Sequence, residues 1–516
     1  MPDLIEKARQ NVSLLASAPA LVHEQTGTIT WGELGTRVDA LVAGLRARGG
    51  EPGQRVGIAI YHGTLALQLY LAAQAAGMQP VLLGITLREH VLTAVRDLKI
   101  AELFAGPEYE PWLARAAGLG ARTWLVADAE QTVAEAGLAG PGADTSWVPA
   151  RPASQVAGIQ YTTGTTGQPK AMVRSVGSDF WDAVNRSLTM RIGHSERWVA
   201  ASPTNINVAI GALRCMTLMG GAVIALDDVS PASIERNTRD GVTILPLQAP
   251  GWRELLASGV AGQLPARGLR VAVSTGQRTP RPLLGALKQL MDGHGEVVNS
   301  YGLTETSTIS ALTSSMPDYE ATLCAGRPNP MQRVDVAPYR EAVADAGDCG
   351  EIRVAGPAVS PGYLSAGADG ALRMPEPGDG WFYCGDVGRW DANGNLCVLG
   401  RWKDAVAVAG RYVFPYAVEN TAQEVDGIDE AVLLGLPGDG DPAGQAARLV
   451  LVVQPAAGTE ADAAALAEVL AGLPAGVPAS WITVPAMPRN SSRKIDRAAV
   501  ARLAAASAEA GAGVPR

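Results

Sequence analysis

Short apolar runs alternate with stretches of helical periodicity along much of the chain, and this alternation constrains the fold more than any other feature. Val56–Ile60 and Val81–Leu83 are two such runs, and Thr64–Ala76 between them repeats apolar residues at helical spacing. Gly77 follows at the position where glycine commonly ends a helix. Further strand candidates lie at Trp198–Ala201, Ala222–Leu226, Val242–Leu245, Val271–Ser274 and Glu296–Asn299, and a further helical stretch at Pro282–Met291. The pattern predicts an α/β protein with a largely parallel sheet.

The pattern changes twice in the rest of the chain. Between about residues 325 and 400, glycine, proline and short apolar stretches predict hairpins. After Gly400 a smaller α+β segment follows, with strands predicted near Ala431–Leu436 and Leu449–Gln454 and an alanine-rich helix after them. Because 516 residues are too many for one hydrophobic core, at least two domains are expected.

Composition and charge exclude several classes of function. Hydrophobic residues make up 47% of the chain and charged residues 18%, which is typical of a well-packed globular protein. The net charge of -9 offers no basic surface to nucleic acid or to an anionic membrane. The amino terminus, MPDLIEKARQ, lacks the apolar core of a secretory signal, and no apolar stretch is long enough to span a bilayer. A cytoplasmic protein is expected, with neither nucleic acid nor membrane as a partner.

The cysteines are odd in number and scattered along the chain. Their positions are Cys215, Cys324, Cys349, Cys384 and Cys397. Since they match neither a disulfide framework nor a CxxC metal site, a reducing compartment is expected.

The strongest local signal for chemistry is Tyr161–Lys170, which reads YTTGTTGQPK. Gly164 and Gly167 allow successive backbone N–H groups to face one anion, and neighbouring hydroxyl groups add donors. Those hydroxyl groups belong to Thr162, Thr163, Thr165 and Thr166. Only six of the 42 basic residues are lysine, so Lys170 stands against a strong bias toward arginine and suggests a use for a compact ammonium group. Phosphate binding is predicted, and an ordinary surface loop is the alternative.

Four further segments follow in order along the chain. They are NSYGLTET at Asn299–Thr306, GWFYCGD at Gly380–Asp386, GRWKD at Gly400–Asp404 and MPRNSSRKIDR at Met487–Arg497. Taken one residue at a time, Tyr301 would be a core residue, Asp386 a turn residue, and Lys403 and Lys494 exposed charges. Together, however, an aromatic ring, carboxylates and lysines are the groups that bind a base, a hard cation and phosphate.

In this order and at this spacing, the segments resemble those of the adenylate-forming superfamily, which includes acyl-CoA synthetases, adenylation domains and luciferase. The resemblance extends from about residue 15 to about residue 500. It implies a large amino-terminal domain, residues 1–402, of several subdomains with parallel-rich sheets and a small β-barrel-like part. It also implies a small α+β domain, residues 403–516, that rotates about a hinge at Lys403.

The resemblance implies roles for individual residues in binding ATP. The 162–170 loop would bind the phosphates. Tyr301 would stack on adenine, and Asp386 and Arg401 would approach the ribose. Thr304 would contact phosphate, and Glu305 would help to hold Mg²⁺.

The implied reaction has two halves. A carboxylic acid first reacts with ATP to give an acyl-adenylate, and Lys494 would neutralise the charge that develops around the reacting phosphate. The small domain then turns about Lys403 and presents a channel, with Gly410 on its wall, through which CoA attacks the acyl group.

The acyl pocket is the least specific part of the resemblance. Its implied lining residues are Ile206, Asn207, Gly276 and Gly302. Asn207 stands where activators of amino acids carry an aspartate, so an α-amino acid is disfavoured as the substrate. Small residues nearby, namely Ala209, Gly211, Ser307 and Thr308, leave room for a bulky apolar or aryl acid of specialised metabolism.

The chain departs from the family pattern at Ala171, Ile206, Cys384 and Arg493. A CoA ligase is the leading prediction, and a stand-alone enzyme that loads an acyl carrier protein is the first alternative. A second alternative is a ligase that is impaired in adenylation and mainly converts a preformed acyl-adenylate to the thioester. A binding protein without activity is disfavoured because binding alone would not require Lys494. A homodimer is left open.

Overall fold

The computed structural model describes residues 3–84, 90–137, 142–163, 169–320, 322, 324–338, 349–366, 372–373, 378–408, 411–437, 446–473, 478–489 and 495–509. The helices are Leu4–Leu14 (α1), Trp31–Ala47 (α2), Leu65–Ala75 (α3), Val91–Asp97 (α4), Glu110–Gly118 (α5), Ala129–Ala136 (α6), Val176–Thr189 (α7), Asn207–Met219 (α8), Pro231–Asn237 (α9), Ala249–Ala257 (α10), Arg281–Leu290 (α11), Pro415–Ala422 (α12), Ala463–Ala471 (α13) and Arg497–Glu509 (α14). Within those ranges, none of the helices combines the length and apolarity needed to span a bilayer.

The strands fall into a first group before residue 300 and a second group after it. The first group is Pro19–His23 (β1), Gly27–Thr30 (β2), Arg55–Ala59 (β3), Gln79–Leu82 (β4), Ile100–Ala105 (β5), Arg122–Leu125 (β6), Val156–Thr163 (β7), Pro169–Ser175 (β8), Arg197–Val199 (β9), Ala222–Ile224 (β10), Ile244–Leu247 (β11), Val271–Thr275 (β12) and Glu296–Leu303 (β13). The second group is Ser307–Thr313 (β14), Arg327–Pro328 (β15), Arg333–Ala337 (β16), Gly350–Ala355 (β17), Gly362–Tyr363 (β18), Ser365–Ala366 (β19), Leu372–Arg373 (β20), Phe382–Trp390 (β21), Leu396–Arg401 (β22), Val406–Val408 (β23), Arg411–Val413 (β24), Ile428–Pro437 (β25), Ala446–Pro455 (β26) and Ala479–Thr483 (β27).

Two large sheets with parallel centres form the body of the protein. In one, the strand order is β18-β8-β7-β4-β3-β5-β6, and in the other it is β15-β14-β13-β12-β11-β9-β10-β1-β2. Helix α3 is buried along its whole length, as expected for a helix that is apolar on every side. The prediction of an α/β protein with parallel-rich sheets is confirmed. Antiparallel pairs occur at the margins, where β7 pairs with β8 and β13 with β14.

A third, antiparallel sheet forms the β-rich part that the glycine- and proline-rich region predicted. Its strand order is β16-β17-β21-β22. Strands β21 and β22 place Asp386 opposite Arg401. This pairing brings together one residue from each of two predicted motifs, Gly380–Asp386 and Gly400–Asp404.

The residues after Arg401 build a separate α+β unit with cores of its own. A short 3-10 turn, Trp402–Asp404, leads into the β23–β24 hairpin. Helices α12, α13 and α14 accompany the sheet β25-β26-β27. This unit meets the larger part through polar contacts: Arg278 donates to Gln423 at 2.8 Å and lies 3.8 Å from the Glu424 carboxylate. A domain boundary at 402/403 fits this arrangement and remains a prediction.

The sulfur atoms of Cys324 and Cys397 are joined in a disulfide. The sequence predicted no disulfide framework, so that expectation is wrong for this pair. The reason is tertiary: backbone hydrogen bonds from Ala325 to Leu396 at 2.7 Å and from Leu396 to Gly326 at 2.8 Å hold the two segments side by side. Spacing along the chain does not reveal such a pairing.

Candidate active site

The predicted phosphate loop connects the two strands of the β7–β8 hairpin. Thr162 pairs with Lys170 across the hairpin, and Thr163 pairs with Pro169. The connecting residues of the prediction, Gly164, Thr165, Thr166 and Gly167, lie outside the described residues, and the side chains of Thr162 and Thr163 are likewise not described. Lys170 is exposed at the start of β8, with its Nζ atom 5.4 Å from the centre of the Tyr363 ring.

Tyr363 connects this lysine to Glu305. The Tyr363 hydroxyl group donates a hydrogen bond to Glu305 Oε1, and the backbone N–H of Ser360 donates to the Glu305 carbonyl oxygen at 2.7 Å. Burial and the nearby Glu305 carboxylate raise the pKa of Tyr363. The tyrosine therefore stays a neutral donor and fixes the position of the half-buried carboxylate. The sequence assigned no role to Tyr363, because its position near Lys170 depends on the pairing of β18 with β8, which spacing along the chain does not reveal.

Tyr301, Asp386 and Arg401 form a second polar group next to the first. The Tyr301 hydroxyl group donates to Asp386 Oδ2 at 2.5 Å, and Arg401 Nε lies 2.9 Å from Asp386 Oδ1. Burial raises the pKa of Asp386, opposed by the Arg401 guanidinium and by the hydrogen bond from Tyr301. Burial and the Asp386 carboxylate also raise the pKa of Tyr301. The structure thus brings together three residues that the sequence separates by as many as 100 positions.

A tight turn presents Thr304 and Glu305 between β13 and β14. A side chain at Gly302 would place its Cβ only 2.0 Å from the Ser307 carbonyl oxygen, so only glycine fits there. Ser307 adopts φ +62°, which is unusual for a residue with a side chain. Thr306 Oγ1 accepts the N–H of Leu303 at 3.2 Å and closes the turn.

Among the predicted acyl-pocket residues, Gly276 and Ile206 lie at the ends of elements. Gly276 follows β12 with φ +84°, and a Cβ there would meet the Gln248 side chain at 3.4 Å. Ile206 is half-buried and immediately precedes α8 in extended conformation. Their roles toward an acyl group stay predictions.

Asn207 has a hydrogen-bond partner within the protein, and its role toward an acyl group stays a prediction. It is buried at the start of α8, and its Oδ1 accepts a hydrogen bond from Arg214 Nη1 at 2.7 Å. Of the small residues expected to leave room, Ala209 lies in the hydrophobic core and Gly211 faces the guanidinium of Arg186. The contacts of Asn207 with Arg214 and of Gly211 with Arg186 are not evident from the sequence pattern.

Those arginines belong to a group of five charged side chains, which we call the buried ion cluster. Its members are Arg174, Asp179, Asp182, Arg186 and Arg214. Asp182 accepts from Arg186 Nε at 2.7 Å, lies 3.1 Å from Arg214 Nη1, and also accepts from the Ser307 hydroxyl group. Burial by itself would raise the pKa of Asp182, but the guanidinium groups of Arg186, Arg214 and Arg174 hold it well below its usual range.

The buried ion cluster joins two predicted walls of the site. Through Asn207 it contacts the start of α8, and through Ser307 it contacts the turn that carries Glu305. The signal for it in the sequence was the spacing of Asp182 and Arg186, four residues apart on one helix.

Two predicted residues of the carboxyl-terminal unit, Lys494 and Gly410, lie outside the described residues. The residues on either side of Lys494 are tied together, since Arg489 and Ile495 form an antiparallel bridge and the Asp496 N–H donates to the Pro488 carbonyl oxygen at 2.9 Å. Lys403 is exposed in the 3-10 turn between the two parts of the chain.

Comparison with known proteins agrees with this geometry. The AMP-binding enzyme family matches residues 9–364, well over half of the chain, so the chain belongs to this family. A 2-succinylbenzoate–CoA ligase from Geobacillus kaustophilus is 29% identical over 357 residues, which cover 68% of this chain and 69% of that protein. A feruloyl-CoA synthase from Amycolatopsis is 28% identical over 499 residues, which cover 94% of this chain and 96% of that protein.

Solved structures show the same fold. The o-succinylbenzoate CoA synthetase of Bacillus subtilis in complex with its acyl-adenylate intermediate superposes with a TM-score of 0.78 at 24% identity, covering 97% of this chain and 98% of that one. The same enzyme in complex with ATP and a magnesium ion gives a TM-score of 0.77 at 23% identity, covering 96% and 99%. The adenylate-forming resemblance and the class of enzyme that it implied, an AMP-forming acid–thiol ligase, are confirmed.

Proposed function

We propose that this chain activates a carboxylic acid with ATP through an acyl-adenylate and transfers the acyl group to CoA. One observation carries the proposal: residues from four separate motifs converge into two adjoining polar groups. These are Lys170, Tyr363 and Glu305 on one side and Tyr301, Asp386 and Arg401 on the other. The ammonium group of Lys170 suits a phosphate, the carboxylate of Glu305 suits a metal ion, and the ring of Tyr301 suits a base, which is the order of these parts along a metal-bound nucleotide.

Glu305 is the residue that would hold Mg²⁺. Its carboxylate is half-buried, and one oxygen is oriented by the Tyr363 hydroxyl group. One or two carboxylates plus phosphate oxygens are the usual ligands of Mg²⁺ at nucleotide sites, so the residue fits. Bound there, the ion would neutralise charge on the phosphates.

The residues of the chain would act mainly by positioning and by charge stabilisation. A carboxylate oxygen of the acid attacks the α-phosphorus of ATP, and pyrophosphate leaves. Lys170 and the 162–170 loop would bind the phosphates, Thr304 would contact them, and Lys494 would stabilise the charge that develops at the reacting phosphate. Asp386 can accept hydrogen bonds from ribose hydroxyl groups, with Arg401 beside it.

The second half-reaction would require the carboxyl-terminal unit to move. We propose that it turns about Lys403 and withdraws Lys494. The CoA thiol would enter along a channel with Gly410 on its wall. Sulfur then attacks the acyl carbonyl carbon, and AMP leaves. The contacts of Arg278 with Gln423 and Glu424 would break or be exchanged during this rotation.

The experiment is to incubate the enzyme with ATP, Mg²⁺ and a panel of aryl, fatty and polycyclic acids, with and without CoA, and to detect the products by mass spectrometry. Acyl-AMP without CoA that becomes acyl-CoA when CoA is added supports the proposal. Glu305→Gln should abolish acyl-AMP formation, whereas the control Glu320→Gln, at a side chain that is 71% exposed, should leave it unchanged.

Other outcomes distinguish the alternatives. A thioester formed on an acyl carrier protein but not on CoA would reassign the acceptor. No acyl-AMP from any free acid, with thioester formed from a supplied acyl-AMP, would indicate the ligase impaired in adenylation and refute the first half of the proposal.

A further inference from the structure

The buried ion cluster carries one positive charge too many. It contains three guanidinium groups and two carboxylates, and each of the five side chains is at most 9% exposed. Tyr70, which also contacts the cluster, does not supply the missing anion, because burial raises its pKa to about 12. An uncompensated charge at such depth is costly unless a partner arrives from outside the protein.

The surplus charge can be assigned to one residue. Arg174 donates through all three of its guanidinium nitrogens, to Asp179, Ala358 and Ser178. Arg214 uses both terminal nitrogens, on Asp182, Asn207 and the Tyr70 hydroxyl group.

Arg186 donates only through Nε, to Asp182 at 2.7 Å. Among the described residues, nothing accepts a hydrogen bond from its two terminal nitrogens. Its side chain nevertheless keeps 9% of its surface accessible, so the surplus cation is not sealed off.

The position of Arg186 connects it to the predicted acyl pocket. A Cβ at Gly211 would lie 3.2 Å from Arg186 Cζ, so the guanidinium group packs directly against the backbone of α8 at this glycine. Gly211 and Asn207 are four residues apart on one side of α8. Helix α7 also packs against β14, where Asn185 donates to the Thr308 carbonyl oxygen at 3.2 Å.

We infer that Arg186 binds a second anionic group of the substrate, so that the enzyme prefers acids with an apolar body and two carboxylates. One carboxylate is adenylated, and the other pairs with the terminal nitrogens of Arg186, a geometry that guanidinium groups favour. This inference rests on the proposed function and specifies the substrate class of the same site. It adds a second charged group to the bulky, largely apolar acid that the sequence predicted.

The test compares acids that differ by one carboxylate. The pairs are 2-succinylbenzoate with 4-oxo-4-phenylbutanoate, and nonanedioate with nonanoate. Pyrophosphate release gives kcat/KM for each acid. In the unaltered enzyme, the diacid of at least one pair should exceed its monoacid by roughly tenfold or more, the value of one buried charged hydrogen bond.

Two variants separate charge from packing. Arg186→Gln should bring that ratio to within about twofold, mainly through a higher KM for the diacid, while Arg186→Lys should keep part of the preference. A second measurement needs no variant: without ATP, the preferred diacid should raise the melting temperature of the unaltered enzyme more than its monoacid does.

The outcomes distinguish this inference from the proposed function. If all acids are activated but the monoacids match or exceed the diacids, and Arg186→Gln changes both members of each pair equally, the inference about Arg186 is overturned and the ligase proposal stands. If the broader acid panel yields no acyl-adenylate either, the proposed function itself fails.

Discussion

Asp182→Asn should destabilise the protein strongly, because it removes charge from the centre of the buried ion cluster. Asp182 is fully buried, pairs with Arg186 and Arg214 at 2.7 and 3.1 Å, and accepts from Ser307. Neutralising it leaves three buried guanidinium groups against one carboxylate. Breaking a buried ion pair from one side costs about 3–5 kcal/mol, and we expect a loss of that size in the free energy of unfolding.

The assay is urea unfolding followed by tryptophan fluorescence, with the transition of the larger part of the chain analysed separately because two domains need not unfold together. Asp144→Asn is the matched control: Asp144 pairs with Arg46 at 2.8 Å, but its side chain is 60% exposed, so the loss should be much smaller than that of Asp182→Asn. Equal losses in the two variants, or a loss for Asp182→Asn below about 1 kcal/mol, would refute the reasoning about the cluster.

The difference in stability between the unaltered protein and Asp182→Asn should also depend on pH, and the sign of this dependence follows from the pKa of Asp182. The guanidinium groups hold the pKa of Asp182 below that of an unfolded aspartate. Its contribution to stability is therefore complete above the unfolded pKa and decreases as the pH falls toward the folded pKa. The difference in stability between the unaltered protein and Asp182→Asn should be constant near neutral pH and shrink in strong acid.

Three further predictions concern the nucleotide site and the disulfide. Tyr301→Phe keeps the ring and should bind ATP within a few-fold of the unaltered enzyme, whereas Tyr301→Ala should lose roughly tenfold to hundredfold affinity in equilibrium dialysis; equal effects would place the binding energy in the hydroxyl group. Since burial raises the pKa of Asp386, acidification should raise the KM for ATP, and this rise should begin at a higher pH than the protonation of an ordinary aspartate would give. The same rise of KM in Asp386→Asn would contradict the assignment to Asp386. The Cys324–Cys397 disulfide closes a loop with a sequence separation of 73, so its reduction should lower the free energy of unfolding in urea by up to about 4 kcal/mol. Alkylation of all cysteines in unfolded, unreduced protein would show that the bond is absent.

The fold was largely predictable because its signals are local. The run predicted at Val271–Ser274 is strand β12, Val271–Thr275, and the helical stretch Pro282–Met291 is α11, Arg281–Leu290. Apolar periodicity and glycine or proline at the ends determine such elements over a few residues. The resemblance to adenylate-forming enzymes likewise rested on short motifs that could be read one at a time.

The interior of the candidate site was not predictable, because partners there come from distant segments. Asn207 was expected to face the acyl group, but its side-chain oxygen accepts a hydrogen bond from Arg214, seven residues later. Asp182 and Ser307 are 125 positions apart, and Cys324 and Cys397 are 73 apart. Periodicity shows that a position is buried, but which partner satisfies a buried polar atom depends on the tertiary packing.

The pairing of Asp386 with Arg401 limits how this hairpin can change in length during evolution. The two residues face each other across β21 and β22, which already contain an irregularity between Val387 and Gly388. A single residue inserted into either strand would turn the following side chains to the opposite face of the sheet, and one of the two predicted ribose contacts would point away. Cys397, fixed to Cys324, holds the same strand from its other end. Natural length variation in this hairpin should therefore be confined to the turn at 391–395, with the strands themselves constant in length.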